Sequence, residues 1–245
     1  MEKTGKKRLG LRIGLLLSFI VCQILCVYMG YTFSTYHKST LTDKMLVDSG
    51  INSANKLMIV AHPDDEVIWG GGHLMEGGYF IVVLTNGKNA VRKCEFDKVL
   101  KASGNKGIIL SYPDKAFGKK DEWKKSKKEI KKDISRIMGY KDWDMIVTHN
   151  KDGEYGHIHH QMTHRFVTDI YNDKSPDCNL YFFGKYYTKS KIGDVADILP
   201  RISEEQLKYK ENLEEIYKSQ DYVVDMFCQM NPFEDWTCYN EQGED

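Results

Sequence analysis

Two groups of residue types that bind divalent metals lie far apart in the sequence. The first is segment 61–66 (AHPDDE), and the second, between His149 and His164, contains five of the eight histidines. If the fold joins them, His62, Asp65 and one histidine of the second group supply two imidazoles and one carboxylate. Such a set leaves coordination positions open for water and substrate, as catalytic zinc requires, and it also suits ferrous iron. The pattern therefore predicts a metal site for hydrolysis.

The acidic residues of segment 61–66 also have a simpler explanation. Asp and Glu are common at helix N-termini, where they satisfy free backbone N–H groups and the helix dipole. That role accounts for one carboxylate, Glu66, but not for three in a row beside a histidine. Together with the histidine-rich segment, the run favours metal binding over helix capping alone.

The elements around these groups alternate between strand and helix patterns. Short apolar runs predict strands at 56–61, 79–85, 107–110, 143–148 and 180–183. Helical spacing predicts helices at 91–103, 122–138 and 157–171, and a capping box at 203–206 (SEEQ) begins another that extends to about 219. This alternation predicts an α/β fold with a Rossmann-like, mostly parallel sheet and helices on both faces. Ligands bind such sheets beyond the carboxyl ends of the strands. Each of the two metal-binding groups comes directly after a predicted strand, so both are expected at that edge of the sheet.

The N-terminal part differs in character from the rest of the chain. A basic segment at 1–12 precedes a segment at 13–36 without charged residues. About 20 apolar residues of a helix cross a hydrocarbon core of roughly 30 Å, so 13–36 is predicted to be a transmembrane signal anchor. The alternative is a cleaved signal peptide, whose apolar region is usually about 7–15 residues long. Tyr28, Tyr31, Phe33 and Tyr36 resemble an interfacial aromatic belt, which favours the anchor.

Charge asymmetry around the apolar segment predicts its orientation. Because basic residues are concentrated before it, the positive-inside rule predicts a cytoplasmic N-terminus and an extracytoplasmic catalytic domain. We expect a polar stalk at 37–54 and one globular domain at 55–245. In an oxidising space the four cysteines of that domain can pair in three ways. A bond between Cys228 and Cys238 is preferred, since it would hold the C-terminal tail.

Overall charge excludes the usual basis for nucleic-acid binding. The 35 Lys and Arg residues balance the 35 Asp and Glu residues, so the formal net charge is zero. Nucleic-acid binding depends on a strong basic excess. The lysines that cluster between Lys119 and Lys132 are explained more simply as the solvent face of the predicted helix. We therefore predict no nucleic-acid partner.

Several motifs in order resemble one known family. Segment 61–66 looks like the AHPDDE signature of the LmbE-like, or PIG-L, family of metal-dependent N-acetylglucosamine deacetylases, and segment 153–160 (GEYGHIHH) is similar to its GEYGHPDH. Segment 85–87 (TNG) with Arg92 and Glu95 resembles the stretch after the second strand. Segment 217–220 (YKSQ) resembles the end of the last helix. The resemblance spans about 56–220 and implies an LmbE-like fold.

The resemblance also implies a role for each matching residue. The implied metal ligands, for zinc or alternatively Fe2+, are His62, Asp65 and His160. The implied catalytic residues are Asp64 as general base, His157 as general acid or electrophile, and Tyr155 as a mobile helper that stabilises the oxyanion. Arg92 and Asp114 resemble the pair that binds the sugar.

The chain departs from the family at two adjacent positions near the predicted catalytic residues. The family often has Pro-Asp where this chain has Ile158-His159. An aspartate there can orient the imidazole of His157 and raise its pKa, whereas a histidine supplies no negative charge. His159 is also an alternative ligand to His160. Spacing favours His160, because residues three apart on a helix, here His157 and His160, lie on one side.

The resemblance implies a metal-dependent hydrolase that removes an N-acetyl group from an N-acetylglucosamine-containing glycan or glycolipid. One alternative is a deacylase of another N-acyl amide. Another is a catalytically impaired module that binds a metal or a sugar. The predicted anchor favours a substrate at a membrane. The eukaryotic glycolipid-deacetylase branch of the family keeps its catalytic domain in the cytosol, which is the alternative to the predicted orientation.

Overall fold

The chain divides into two compact units, which are described separately. The structure, a computed structural model, describes residues 2–36, 38–116 and 118–239. The units are Met1–Lys38 and Ser39–Asp245. The basic side chains of the predicted segment 1–12 up to position 11, the aromatic side chains at 31, 33 and 36, and residue 37 of the predicted stalk lie outside the described part. Residues 240–245 of the predicted domain also lie outside it.

The first unit is one long helix, α1, Glu2–Tyr36. Its segment Arg12–Gly30 has 19 residues with a mean hydropathy of 2.2. By length and composition this segment can cross a membrane. A signal sequence meets the same criterion. The orientation of α1, and its presence in the mature protein as an uncleaved anchor, therefore stay predictions.

The second unit contains the remaining helices and the strands. Its helices are α2 Asp43–Asp48, α3 Asp65–Ile68, α4 Ala90–Ser103, α5 Lys127–Met138, α6 Gly153–Gly156, α7 Ile158–Lys174, α8 Glu204–Glu214 and α9 Asp221–Phe227. Its strands are β1 Lys56–Val60, β2 Tyr79–Thr85, β3 Lys106–Tyr112, β4 Lys115–Ala116, β5 Lys119–Lys120, β6 Met145–Thr148, β7 Asn179–Phe182 and β8 Thr237–Cys238.

The main sheet has the strand order β3-β2-β1-β6-β7-β8. Within this sheet, β3, β2, β1, β6 and β7 are parallel, and β8 pairs antiparallel with β7. Strand β1 lies between β2 and β6, so that Lys56 is in register with both Tyr79 and Met145. The chain extends the sheet in one direction from β1 and later in the other. This reversal opens a crevice at the carboxyl ends of β1 and β6, where ligands bind in such sheets.

Helices cover both faces of the sheet. Along β1, Leu57 and Ile59 pack in one hydrophobic cluster with α5 and α7. Met58 and Val60 pack on the other side with α3, α4 and α8. Every residue of β2 is buried, as expected for a strand covered on both faces. The predicted mostly parallel α/β sheet with helices on both faces is therefore confirmed.

The prediction of a stalk at 37–54 differs from the structure. From Ser39 onward it belongs to the second unit, and Leu41, Leu46 and Ile51 are buried. The hydroxyl of Ser39 donates a hydrogen bond to Asp133 at 2.7 Å. Thr42 caps α2 by accepting from the backbone N–H of Met45. Most of the few apolar residues of this polar segment face the core, with Val47 exposed, and its composition concealed this packing.

The helix predicted at 122–138 begins only at Lys127. Trp123 has a positive φ of 50°, which lies outside the helical region. Its indole N–H donates to the carbonyl of Pro113 at 2.7 Å. Two lysines of the cluster assigned to that helix belong instead to β5, which forms a short hairpin with β4. The helix predicted to extend to about 219 ends at Glu214.

Packing and hydrogen bonds hold the C-terminal segment in place. Cys228 and Cys238 are both free, so the preferred disulfide between them is not formed. The indole N–H of Trp236 donates to the carbonyl of Trp69 at 3.0 Å. The buried ammonium of Lys210 lies 2.9 Å from a carboxylate oxygen of Glu234.

Candidate metal centre

The two groups of predicted metal-binding residues meet at the crevice between β1 and β6. Nδ1 of His62 lies 3.2 Å from Oδ2 of Asp65. Nε2 of His160 lies 3.3 Å from Oδ1 of Asp65 and 3.3 Å from Nδ1 of His62. Two imidazole nitrogens and one carboxylate thus face a common point, and this donor set fits a divalent cation with coordination positions left for water and substrate.

Glu154 determines which nitrogen of His160 faces that point. Nδ1 of His160 lies 2.5 Å from Oε2 of Glu154. Because an ionised carboxylate only accepts hydrogen bonds, Nδ1 carries a proton and Nε2 is the nitrogen directed toward Asp65. Burial opposes ionisation of Glu154, but His149 and His160 lower its pKa to about 2. The sequence analysis assigns Glu154 no role, although its place in the GEYG motif is a usable signal.

His149 supports the site without offering a free nitrogen to a metal. Its Nε2 accepts from the backbone N–H of Ala61 at 3.0 Å, and its Nδ1 donates to Glu154 at 3.0 Å. The ring stacks on that of His160 with centroids 3.9 Å apart. Both nitrogens of His149 are engaged, so it packs beside the three candidate ligands.

Asp64, the predicted general base, lies beside the convergence point on a strained turn. Its φ of 114° lies outside the usual regions for an L-residue, and such strain concentrates at functional sites. Nη2 of Arg92 lies 3.2 Å from Oδ2 of Asp64 and also donates to the carbonyl of Pro63. Burial raises the pKa of Asp64 well above its ordinary value, and Arg92 offsets only part of this effect. A raised pKa makes the carboxylate a stronger base.

Glu66 holds the backbone of Asp64 in this turn. Its Oε2 accepts from the N–H of Asp64 at 3.0 Å, and its Oε1 accepts from the hydroxyl of Tyr217. Burial raises the pKa of Glu66 to about 7. The segment of Tyr217 is fixed in turn by Ser219, whose N–H and hydroxyl donate to Glu95 at 2.8 and 2.6 Å. Glu95, which lies on α4, and the YKSQ segment are therefore in contact.

His157 presents one nitrogen to the site as a hydrogen-bond donor. Its Nδ1 accepts from the backbone N–H of His159 at 3.3 Å, which places the proton on Nε2. Burial, together with His62 and His160, lowers the pKa of His157 far below its ordinary value. The ring is therefore neutral at physiological pH. Of the two predicted roles, this geometry favours the electrophile over the general acid.

Tyr155 lies at the rim of the site and is 40% exposed. Its ring packs against Phe227 with centroids 4.7 Å apart. Burial of the phenol raises its pKa above the ordinary value, so the hydroxyl stays protonated and can donate. Partial exposure is compatible with the predicted movement toward a bound substrate.

The cleft in front of the convergence point has two different walls. The polar wall is formed by Arg92, Asp114, Lys115 and Lys120. The apolar wall is formed by Ile68, Val223, Met226 and Phe227. Oδ1 of Asp114 lies 3.6 Å from Nε2 of His62. The predicted sugar-binding pair thus lines the cleft, although Arg92 is engaged with Asp64 and Pro63.

The fold and the site define an α/β domain with a histidine–carboxylate centre at a strand switch point. Within that class, residues 57–171 match the family model described as PIG-L, GlcNAc-PI de-N-acetylase. These residues form a PIG-L, or LmbE-like, domain, as the motifs predicted. The chain is also 29% identical over 188 residues to an uncharacterized protein, L374, of Acanthamoeba polyphaga mimivirus, which covers 70% of this chain and 74% of that relative.

Solved structures of deacetylases share the fold. A triple mutant of a deacetylase of the teicoplanin biosynthetic pathway superposes with a TM-score of 0.58 at 15% identity, over 76% of this chain and 97% of that one. The N,N'-diacetylchitobiose deacetylase from Pyrococcus horikoshii gives 0.56 at 15% identity, over 78% of this chain and 86% of that one. At this identity the similarity shows the common LmbE-like fold.

Proposed function

We propose that the chain is a metal-dependent hydrolase that removes an N-acetyl group from an N-acetylglucosamine-containing glycan or glycolipid. The observation that carries this proposal is the convergence of His62, Asp65 and His160 beside the carboxylate of Asp64. The match to the PIG-L family model at 57–171 supports deacetylation. The similarity to the structures of named deacetylases is consistent with it.

The metal would be held by His62, Asp65 and His160, with zinc as the first candidate and Fe2+ as the second. A divalent cation bound there supplies Lewis acidity and lowers the pKa of water toward about 7. The remaining chemistry belongs to side chains of this chain.

Asp64 handles the proton in the proposed reaction. It accepts a proton from the attacking water as the water oxygen bonds to the amide carbon. When the C–N bond breaks, Asp64 returns that proton to the departing amine, so that acetate and a free amino sugar are released. The Nε2–H of His157 and the hydroxyl of Tyr155 donate to the carbonyl oxygen as it gains negative charge.

The two walls of the cleft support different parts of a substrate. The carboxylate of Asp114 and the amino groups of Lys115 and Lys120 suit the hydroxyl and anionic groups of a sugar conjugate. The apolar wall around Phe227 favours a second candidate, a deacylase of an N-acyl amide with an apolar portion. A substrate panel that varies the acyl chain and the aglycone separates the two.

The decisive test is acetate release by the detergent-solubilised full chain. After chelation, reloading with zinc or Fe2+ should restore release from N-acetylglucosamine conjugates. Asp64→Asn should bind the metal and lose turnover, whereas Asp152→Asn, at an exposed position near α6, should retain it. A chain that binds one metal and releases no acyl group from any substrate of the panel would instead be a non-catalytic binding module.

We also propose that α1 anchors the protein with its N-terminus in the cytoplasm. The length and hydropathy of Arg12–Gly30 and the basic residues before it support this orientation. Protease added to intact cells should degrade the second unit if it is extracytoplasmic. Full protection until the membrane is permeabilised would reverse the orientation, and extraction by alkaline carbonate would exclude an integral anchor.

A further inference from the structure

His159 stands where the family often has an aspartate, which can orient His157. The ring of His159 has its main contacts with other residues. Its ring lies with its centroid 5.3 Å from that of His157, and the contact between the two residues is made through the backbone N–H of His159. The imidazole is fully buried. It stacks on the indole of Trp123 with centroids 4.3 Å apart and planes within 1° of parallel. The ring is therefore held in one orientation.

The two nitrogens of His159 have distinct partners. Nε2 lies 2.6 Å from the backbone carbonyl oxygen of Asp121. A carbonyl only accepts, so Nε2 carries the proton and Nδ1 has a free lone pair. Nδ1 lies 3.0 Å from Nε2 of His62. The hydrogen of this second bond must therefore come from Nε2 of His62.

This chain of hydrogen bonds determines the form of His62. With its proton on Nε2, His62 has its lone pair on Nδ1. That nitrogen lies 3.2 Å from Asp65 and 3.3 Å from Nε2 of His160, so its lone pair and the carboxylate of Asp65 would both face the proposed metal. Metal-binding histidines usually donate their second N–H to a carboxylate, a carbonyl or water, which sets the tautomer and the ring orientation. Here the acceptor is a neutral imidazole.

We propose that His159 is a positioning residue that holds the Nε2–H tautomer of His62 and directs its Nδ1 to the metal. The inference rests on the proposed metal site, but not on the substrate or on turnover. Trp123 and the carbonyl of Asp121 orient His159, which in turn orients His62. Because the acceptor is neutral, the ligand gains orientation without an additional buried charge beside the site.

Two substitutions separate the hydrogen bond from the packing. His159→Gln keeps a donor for Asp121 and an acceptor for His62, whereas His159→Phe keeps an aromatic face against Trp123 and removes both hydrogen bonds. In apo protein titrated with zinc against a chelator, we expect His159→Phe to lose about 10–100-fold in affinity and His159→Gln to remain within a few-fold of wild type. If packing on Trp123 were the only role, the order of the two variants would reverse and the inference would be wrong.

A matched control is available at the other stacked histidine. His73 stacks on Trp236 with centroids 3.8 Å apart and bonds to Glu234 at 2.6 Å. His73→Phe removes a hydrogen-bonded histidine from a tryptophan face in another pocket, which does not include the candidate ligands. Its zinc affinity should equal that of wild type. A loss as large as that of His159→Phe would overturn the specific role of His159.

Nitrogen-15 NMR of the histidine-labelled, zinc-loaded chain tests the tautomer directly. We expect the proton of His62 on Nε2 in wild type and in His159→Gln. A proton on Nδ1 of His62 in wild type would overturn the inference even if zinc binds. Circular dichroism of each variant should match wild type, so that changes in affinity report the site.

Metal stoichiometry addresses a rival role for the same atoms. Nε2 of His62, Nδ1 of His159 and Oδ1 of Asp114 lie close enough to hold an ion of their own. We expect one zinc per wild-type chain. Two per chain, falling to one in His159→Phe, would make His159 a ligand and overturn the positioning role. No zinc in wild type would remove the proposed function as well, whereas normal binding in all variants would remove the role of His159 alone.

Discussion

Oε2 of Glu154 lies 2.5 Å from Nδ1 of His160, on the edge of the ring away from Asp65. The same oxygen lies 3.0 Å from Nδ1 of His149. One buried carboxylate therefore sets the protonated nitrogen of two histidines, one of which is a candidate ligand. The backbone N–H of Asn150 donates to the other oxygen of Glu154 at 2.9 Å, which holds the carboxylate in place.

Replacing Glu154 should therefore weaken metal binding without removing a ligand. We expect Glu154→Gln to lower zinc affinity by about 10–100-fold. An amide has one accepting oxygen in place of two, so it cannot accept from both rings with one oxygen and from the N–H of Asn150 with the other. Competition with a chromogenic chelator measures this loss. Glu76→Gln, at a partly exposed position that pairs with Lys56, is the control. Equal affinities would show that His160 keeps its orientation by packing alone.

Removing the hydroxyl of Tyr217 should affect catalysis through Glu66. The hydroxyl donates to Glu66, and Glu66 accepts from the backbone of Asp64. We expect Tyr217→Phe to lower kcat with little change in zinc affinity, and to destabilise the fold by about 1–3 kcal/mol because a buried carboxyl loses a partner. Steady-state kinetics and zinc titration on one sample test this. Tyr209→Phe, on the same side of the sheet, should leave kcat unchanged; a fall there would indicate general loosening.

Gly71 is required for the close approach of α8. An added Cβ would lie 2.6 Å from the carbonyl oxygen of Val67 and 2.7 Å from Cγ of Lys210. We expect Gly71→Ala to destabilise the protein by about 1–3 kcal/mol, seen as a lower midpoint in thermal denaturation. Gly193→Ala, where a Cβ meets nothing within 4 Å, should stay within about 0.5 kcal/mol of wild type. An unchanged midpoint for Gly71→Ala would show that α8 can move away at little cost.

The buried pair of Lys210 and Glu234 should make stability depend on pH. Burial opposes ionisation of Glu234, but Lys210 lowers its pKa to about 2, below the value of about 4.3 in an unfolded chain. The stabilisation is therefore fully present above pH ~4.3 and is lost as the pH falls toward about 2. At pH 6, Lys210→Met should cost about 3–5 kcal/mol because it leaves a buried carboxylate with one fewer partner.

Urea denaturation of wild type and Lys210→Met across this pH range measures the effect. The difference in the free energy of unfolding should shrink as the pH falls toward about 2, because without Lys210 the folded chain protonates Glu234 at a higher pH than folded wild type does. The double variant Lys210→Met/Glu234→Gln should recover much of the loss, since no charge is left buried without its partner. A difference that stays constant with pH would assign the cost to packing of the lysine stem.

The strands and the residues at their carboxyl ends could be predicted from the sequence. Segments that pack through a few scattered contacts could not. The run at 79–85 is apolar throughout because β2 is buried on both faces, and its bounds agree with the prediction. The segment around Leu46 reads as polar, because only isolated apolar residues face the core. Trp123 fits a helical pattern, but its side chain stacks on His159 and its backbone takes a turn. Such contacts join residues far apart in sequence and leave no local period.

The sequence by itself determined which side chains stand at the ends of β1 and β6, because residue type and position in a strand are local properties. It also indicated a metal and a hydrolytic chemistry through His62, Asp65 and the histidines of segment 149–164, and the family resemblance implied His160 as the third ligand. Only the tertiary structure decided which nitrogen of each histidine faces the site. That choice depends on hydrogen-bond partners such as Glu154, His159 and the carbonyl of Asp121, and a proton goes to whichever nitrogen meets an acceptor in the folded chain.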